Sequence, residues 1–237
     1  MSEKNDQVLV LECRDYNVKL IKEKITAALK PIGGLKSFVK AEQTVLLKPN
    51  LLMAKQPEAG ITTHPAVVQA VVELVENLGA EVIIGDSPGG PFNKTVMKRL
   101  YQKTGMTNVA EKTSATLNWD FAGQTTTPSD AKILNKLTVG QFISEADVII
   151  NLPKFKTHGL TKMTGAVKNM FGAVPGLLKA EYHMKMPQID NFSDALLDVA
   201  LATKPELTIV DGITAMEGEG PSSGEQYQLN RLVIGAN

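Results

Sequence analysis

The chain has one cysteine in 237 residues, Cys13. A lone thiol makes no internal disulfide and cannot hold an iron–sulfur cluster, which usually takes about four thiolates. Its setting, VLVLEC, is apolar, so a buried thiol is expected. Aromatics are scarce at 5%, which leaves the core to Val, Ile, Leu, Ala and Met. Net charge is missing too: 25 Lys and Arg balance 25 Asp and Glu, which argues against a nucleic-acid partner. No apolar run approaches the ~18 residues of a membrane span. The N-terminal MSEKNDQ lacks the basic flank and apolar stretch of a secretory signal. No membrane partner and a cytoplasmic location are therefore expected. There is no Walker A sequence and no H-E-x-x-H, and Gly218, Gly220 and Gly224 stand one residue out of register with the dinucleotide fingerprint.

What remains is an ordinary globular composition, 43% hydrophobic and 21% charged, in a chain long enough to bury a full core. Short apolar runs alternate with helical patterns. Val8–Cys13, Thr44–Lys48, Glu81–Ile84, Asp147–Leu152 and Leu207–Val210 read as strands. Val18–Leu29, Pro65–Leu78, Asn93–Lys103 and Asn191–Thr203 read as helices, the second opening at Thr63 or His64 and closing at Gly79. Strands without polar alternation, separated by helices, predict an α/β fold: a mainly parallel sheet with helices on both faces. Residues 105–146, rich in Thr and turn formers, read as an inserted β-rich segment or flap within a single domain spanning 1–237. Arg231–Gly235 looks like one more strand with no helix after it, so the chain reads as truncated at its C-terminus.

Four predicted strands run into polar residues: Pro49-Asn50, then Gly85-Asp86-Ser87, Pro153-Lys154-Phe155-Lys156-Thr157-His158, and Asp211-Gly212. In an open parallel sheet, ligands bind outside the carboxyl ends of the strands, where such loops converge. Charge is also segregated. Residues 148–180 hold five lysines and no acid, while residues 205–230 hold five acids and no lysine or arginine. The lysine block carries hydroxyl and amide side chains among glycines, a combination that suits phosphate or carboxylate.

A small anionic ligand in one cleft is the resulting expectation. Lys48, Lys154, Lys156 and Lys168 would hold it, with contacts from Asn50, Thr63, His64, Ser87, Thr157, Thr164 and Asn169. His158, inside the lysine block, is the candidate proton carrier, whereas His183 reads as a surface residue. Asp86, Asp211 and Glu217 could bind a divalent metal, and oxygen ligands would favour Mg²⁺, Mn²⁺ or Ca²⁺. Gly85-Asp86-Ser87-Pro88-Gly89 fits the G-x-S-x-G pattern of a serine nucleophile. That elbow needs an N–H on the residue after serine, and Pro88 has none.

LLKPN, ITTHP, GDSPGG, NLPKFKTH and TGAVKNMFG, in this order, resemble the prokaryotic family known as domain of unknown function 362, whose members are often labelled iron–sulfur cluster-binding proteins. The similarity runs from about Val45 to the end, and KTH…TGAVKN is its most specific part. Members often carry a ferredoxin-like module with clustered cysteines. This sequence has none, so a cluster is implied only if a missing C-terminal module exists. A fainter similarity, through His158, Lys168 and Gly172–Gly176, is to the lactate racemase family, which holds a nickel-pincer nucleotide in an α/β cleft. Two rival functions follow: an enzyme or redox-enzyme subunit acting on a small anion, racemase- or epimerase-like chemistry included, and a non-catalytic scaffold docking a ferredoxin-like module or other redox protein.

Overall fold

A computed structural model describes residues 7–128 and 130–236. Most of the polar N-terminal stretch, and Asn237 where the sequence stops, lie outside the described residues. The strands are β1 (Val8–Glu12), β2 (Thr44–Pro49), β3 (Glu81–Ile84), β4 (Thr116–Leu117), β5 (Gly123–Thr126), β6 (Leu137–Gly140), β7 (Val148–Leu152), β8 (Lys154–His158), β9 (Lys162–Thr164), β10 (Leu207–Glu217), β11 (Glu225–Tyr227) and β12 (Arg231–Ala236). The α-helices are α1 (Val18–Leu29), α2 (Pro65–Glu76), α3 (Lys94–Lys103), α4 (Met106–Lys112), α5 (Gln141–Ser144), α6 (Ala166–Met170), α7 (Leu178–Lys185) and α8 (Ile189–Thr203).

The main sheet runs β1-β12-β10-β7-β2-β3-β4, with β8, β9 and β11 joined to it beside β10. From β10 through β7, β2 and β3 to β4 every pairing is parallel. The fold is thus α/β with a mixed, mostly parallel ten-stranded sheet, plus the separate β5–β6 hairpin. Alternation explains the two covered faces. Val45 and Leu47 of β2 and Val148, Ile150 and Leu152 of β7 enter the core that includes α1 and α2. Leu46 and Ile149 point the other way, into the core built with Phe192, Ala195, Leu196 and Val199 of α8. Side-chain caps start the helices. Asn17 accepts the Leu20 N–H at 3.1 Å, Asn93 accepts the Val96 N–H at 3.1 Å, and His64 Nδ1 accepts the Ala66 N–H at 3.1 Å with Pro65 as the first helical residue.

Two expectations need correction. First, the lysine-rich stretch after β7 is a strand rather than a loop. Pro153 interrupts the ladder, and β8 carries on beside β10, so Lys154, Lys156 and His158 fall on one face at period two. Second, Asp211-Gly212 is no turn. It lies inside β10, an eleven-residue strand long enough to pair first with β7 and then with β8. The strand expected over Arg231–Gly235 is present as β12, antiparallel to both β10 and β1. Residues 105–146 also hold more helix than expected: α4 buries Met106 and Val109, and β4 joins the main sheet, leaving β5–β6 as the hairpin.

Asp198 of α8 pins the segment leading to β6. Its carboxylate accepts the backbone N–H groups of Lys132, Ile133 and Leu134 at 2.8, 2.8 and 2.7 Å. Asp198→Ala should leave three N–H groups unpaired and cost about 2–4 kcal/mol in urea unfolding. An unchanged midpoint would show that this segment contributes nothing to the cooperative fold.

Candidate functional site

The carboxyl ends of β2, β3 and β7 meet around two buried ion pairs. Lys48, the next-to-last residue of β2, is fully buried and lies 2.6 Å from Asp86 Oδ1 beyond β3. The second oxygen of Asp86 accepts the Leu51 N–H at 2.7 Å. Burial pushes the Lys48 pKa down, and Asp86 opposes that shift. Lys154 donates to Asp211 Oδ2 at 2.9 Å and to the Tyr16 hydroxyl at 2.9 Å. Tyr16 donates to Asp211 Oδ1 at 2.9 Å, and the His64 backbone N–H reaches Asp211 Oδ2 at 2.9 Å. The Tyr16 and His64 rings stack at 3.7 Å. Burial holds the His64 pKa down at about 4, and its Nδ1 is spent capping α2. This cluster ties the segment before α1, the start of α2, β8 and β10 together, which is a structural role.

Between the pairs runs a chain of amides. Lys156, 2% exposed, donates to Asn50 Oδ1 at 3.0 Å and to the Ile61 carbonyl at 2.6 Å. A lysine only donates, so Asn50 must turn its oxygen to it and its Nδ2 to Asn169 Oδ1, 3.0 Å away. Asn169 Nδ2 then donates to the Lys48 carbonyl and to Asn151 Oδ1, at 3.1 and 2.8 Å. Thr63 braces Asn50: its hydroxyl accepts the Asn50 N–H at 2.8 Å and donates to the Leu152 carbonyl at 2.6 Å. Thr164 lies opposite Lys156 in the β8–β9 ladder, and its buried hydroxyl has no hydrogen bond among the described residues. Thr157 accepts the Gly220 N–H at 3.2 Å.

Beside this scaffold opens a cavity of about 220 Å³, whose lining includes Asn50, Ser87, His158, Lys168, Asn169, Phe171, Lys179 and His183. Lys168 of α6 sits 5.9 Å from the Phe171 and Phe192 ring centroids and has no carboxylate partner among the described residues. Burial lowers its pKa to about 8. Lys179 of α7 donates to Ser87 Oγ at 2.9 Å and to the Pro88 and Val174 carbonyls at 3.1 and 2.5 Å; burial lowers its pKa to about 7. Lys156 is likewise pushed to about 7, by burial first and then by Lys168 and Lys154. His158 Nδ1 accepts the Leu160 and Thr161 N–H groups at 3.2 and 3.3 Å, so the neutral ring carries its proton on Nε2. Burial, then Lys168, His183 and Lys156, hold its pKa near 4. His183 stacks on Phe192 at 4.3 Å, and burial and Lys168 lower its pKa.

Of the residues singled out in the sequence, Asn50, Asp86, Ser87, His158, Lys168 and Asn169 line the cavity, and Lys48, Lys156 and Thr63 support it from behind. Lys154, His64 and Asp211 build the separate Tyr16 cluster. The three proposed metal ligands do not converge. Asp86 and Asp211 are each spent on a lysine, Glu217 is exposed, and among the described residues no three His, Cys, Asp or Glu side chains form a metal-binding group. The described residues do not fit a protein-held divalent metal. Sequence reasoning missed Lys179, His183, Tyr16 and Asn151. A usable signal existed for Asn151, a polar residue inside the apolar run VIINL.

These features define an open-sheet α/β protein with a lysine- and imidazole-lined cavity at the ends of its strands. The chain belongs to the family described as domain of unknown function (DUF362), which matches residues 45–237. It is 36% identical over 226 residues to the thylakoid-associated protein sll1697 of Synechocystis sp. (strain ATCC 27184 / PCC 6803 / Kazusa), covering 95% of this chain and 68% of that protein. Among solved structures it resembles the lactate racemase apoprotein of Thermoanaerobacterium thermosaccharolyticum, with a TM-score of 0.57 and 12% identity. That match covers all of this chain and 55% of the racemase, and the likeness is one of fold.

Two predictions follow from this geometry. A Cβ on Gly172 would lie 2.1 Å from Asp86 Oδ1 and 2.5 Å from Lys48 Nζ. Gly172→Ala should therefore force the buried pair apart and cost about 3–5 kcal/mol, readable in chemical unfolding; a stability within about 0.5 kcal/mol of the parent would mean the pair is not constrained there. The second concerns pH. Lys156, Lys168 and Lys179 titrate near 7, 8 and 7 when folded, below the ordinary 10.5, so the unfolded chain binds more protons between those limits. Stability is penalised in full below about pH 7 and recovers as pH rises. Tm should climb from pH 7 to 9.5, and a flat or falling Tm would contradict the assignment.

Proposed function

We propose that this chain binds a small carboxylate- or phosphate-bearing compound in the 220 Å³ cavity and acts on it by proton transfer. The observation that carries the reading is Lys168: an ammonium largely removed from water, without a carboxylate partner among the described residues, lining the same cavity as two imidazoles. Burying an unpaired charge costs several kcal/mol, and an anion supplied by a ligand offsets that cost. His158 presents Nε2–H and can donate to the bound anion. His183 has no hydrogen bond on either nitrogen among the described residues and is available to accept a proton.

A second reading, epimerase-like exchange of a carbon-bound proton beside the anionic group, is favoured by the two imidazoles on one cavity; deuterium appearing from solvent on carbon in a 2-hydroxy acid would distinguish it from proton transfer between heteroatoms. Cys13 is 1% exposed and its thiol pKa is raised by burial, so it is a poor cluster ligand. In this reading any iron–sulfur cluster sits on a ferredoxin-like partner. No helix among the described residues is long and apolar enough to cross a membrane. A cytoplasmic location goes with the proposal, and cell fractionation decides between it and the thylakoid association named for the cyanobacterial relative.

Lys168→Ala should weaken phosphate or carboxylate binding about ten- to hundred-fold, the worth of one charge-assisted contact, with the unfolding transition unchanged or slightly raised. Calorimetric titration of parent and variant checks this. Equal affinities would remove Lys168 from the site and the proposal with it.

A further inference from the structure

We infer that the ligand of this cavity carries at least two negative charges, as a dicarboxylate or a phosphorylated compound does. The inference rests on the anion-binding reading above and goes on to the ligand's charge. Its ground is the unequal supply of carboxylates. Asp86 and Asp211 are each held against a lysine of their own, Lys48 and Lys154, at 2.6 and 2.9 Å. Lys156, Lys168 and Lys179 have no carboxylate within ion-pair distance among the described residues. Lys156 and Lys179 meet only amide, hydroxyl and carbonyl oxygens, and Lys168 meets only ring faces. Asp86 is the one acid among the cavity's lining residues. A single negative charge leaves most of this positive field unanswered.

Hydrogen-bond capacity points the same way. Ser87 Oγ accepts from the Gly176 N–H at 2.8 Å and from Lys179 Nζ at 2.9 Å, which fills both its lone pairs. Its own proton goes to no acceptor among the described residues, although the residue is 3% exposed and lines the cavity. Ser87 can therefore only donate to a ligand, and the Lys179 ammonium behind it strengthens that donation. Lys168 and the Nε2–H of His158 form another set of donors on the same cavity. Two donor sets, drawn from different elements, suit a ligand with two anionic groups or one doubly charged group.

Acetate, malonate and inorganic phosphate can be titrated calorimetrically at pH 7.5 and low ionic strength, in two buffers of different ionisation enthalpy. The tighter of the two dianions should bind at least about tenfold more strongly than acetate. It should also take up more protons, up to about one, as Lys156 and Lys179 fill. Lys179→Met should shrink the gap between dianion and acetate; circular dichroism confirms its fold, and Lys168→Gln, at a less buried position, serves as the second variant. Acetate binding as tightly as both dianions overturns the two-charge inference and leaves the anion site standing. Failure of all three to bind overturns both.

Discussion

Two carboxylates stand against four buried lysines at the strand ends, and the architecture there follows from which two lysines they pair. Asp86 and Asp211 neutralise Lys48 and Lys154 and also gather the backbone N–H groups of Leu51 and His64 and the hydroxyl of Tyr16. Each pair is therefore a joint between chain segments far apart in sequence. Among the described residues, Lys156 and Lys179 receive only neutral acceptors, so no carboxylate there offsets their desolvation. Carboxylate-paired lysines and lysines with neutral partners stand side by side, distinguished by what faces each Nζ.

The amide chain extends that distinction across the site. Because Lys156 dictates the orientation of Asn50, it also dictates Asn169 and Asn151, and Asn151 Nδ2 donates onward to the Ala166 carbonyl at the start of α6. The helix that carries Lys168 and Asn169 is thus anchored to the sheet by a run of hydrogen bonds with one fixed direction. Gly172, just beyond α6, allows the chain to pass within van der Waals reach of the Lys48–Asp86 pair. Position, charge and packing are coupled here, so a change at Gly172 reaches the cavity through the ion pair.

The sequence made much of this legible because central strands of a parallel sheet are apolar on both faces and announce themselves as unbroken runs: β2, β3 and β7 were found within a residue or two of their ends. The segregation of lysine from acid marked the right region. It could not say which lysines would be paired, because Lys154 and Lys156 are two residues apart on one strand and differ only in what β10 and the Asn50 segment place opposite them. The period-two spacing of Lys154, Lys156 and His158 was present, yet Pro153 disguised β8 as a turn. Tyr16 joins its cluster from a segment 195 residues away from Asp211, and no local pattern reports such a contact. His183 and Lys179 lie on α7, a short and weakly amphipathic helix whose sequence gives little sign of which face meets the cavity.

The central claim is that Lys156, Lys168 and Lys179 lack carboxylate partners while Lys154 has one. Lysines labelled with carbon-13 at Cε, assigned by single Lys→Arg substitutions and titrated by NMR, report each pKa directly. The account predicts midpoints near 7, 8 and 7 for Lys156, Lys168 and Lys179 in the ligand-free protein, all moving upward when an anion is added. Midpoints near the ordinary ~10.4 for all three, unmoved by anion, would contradict it.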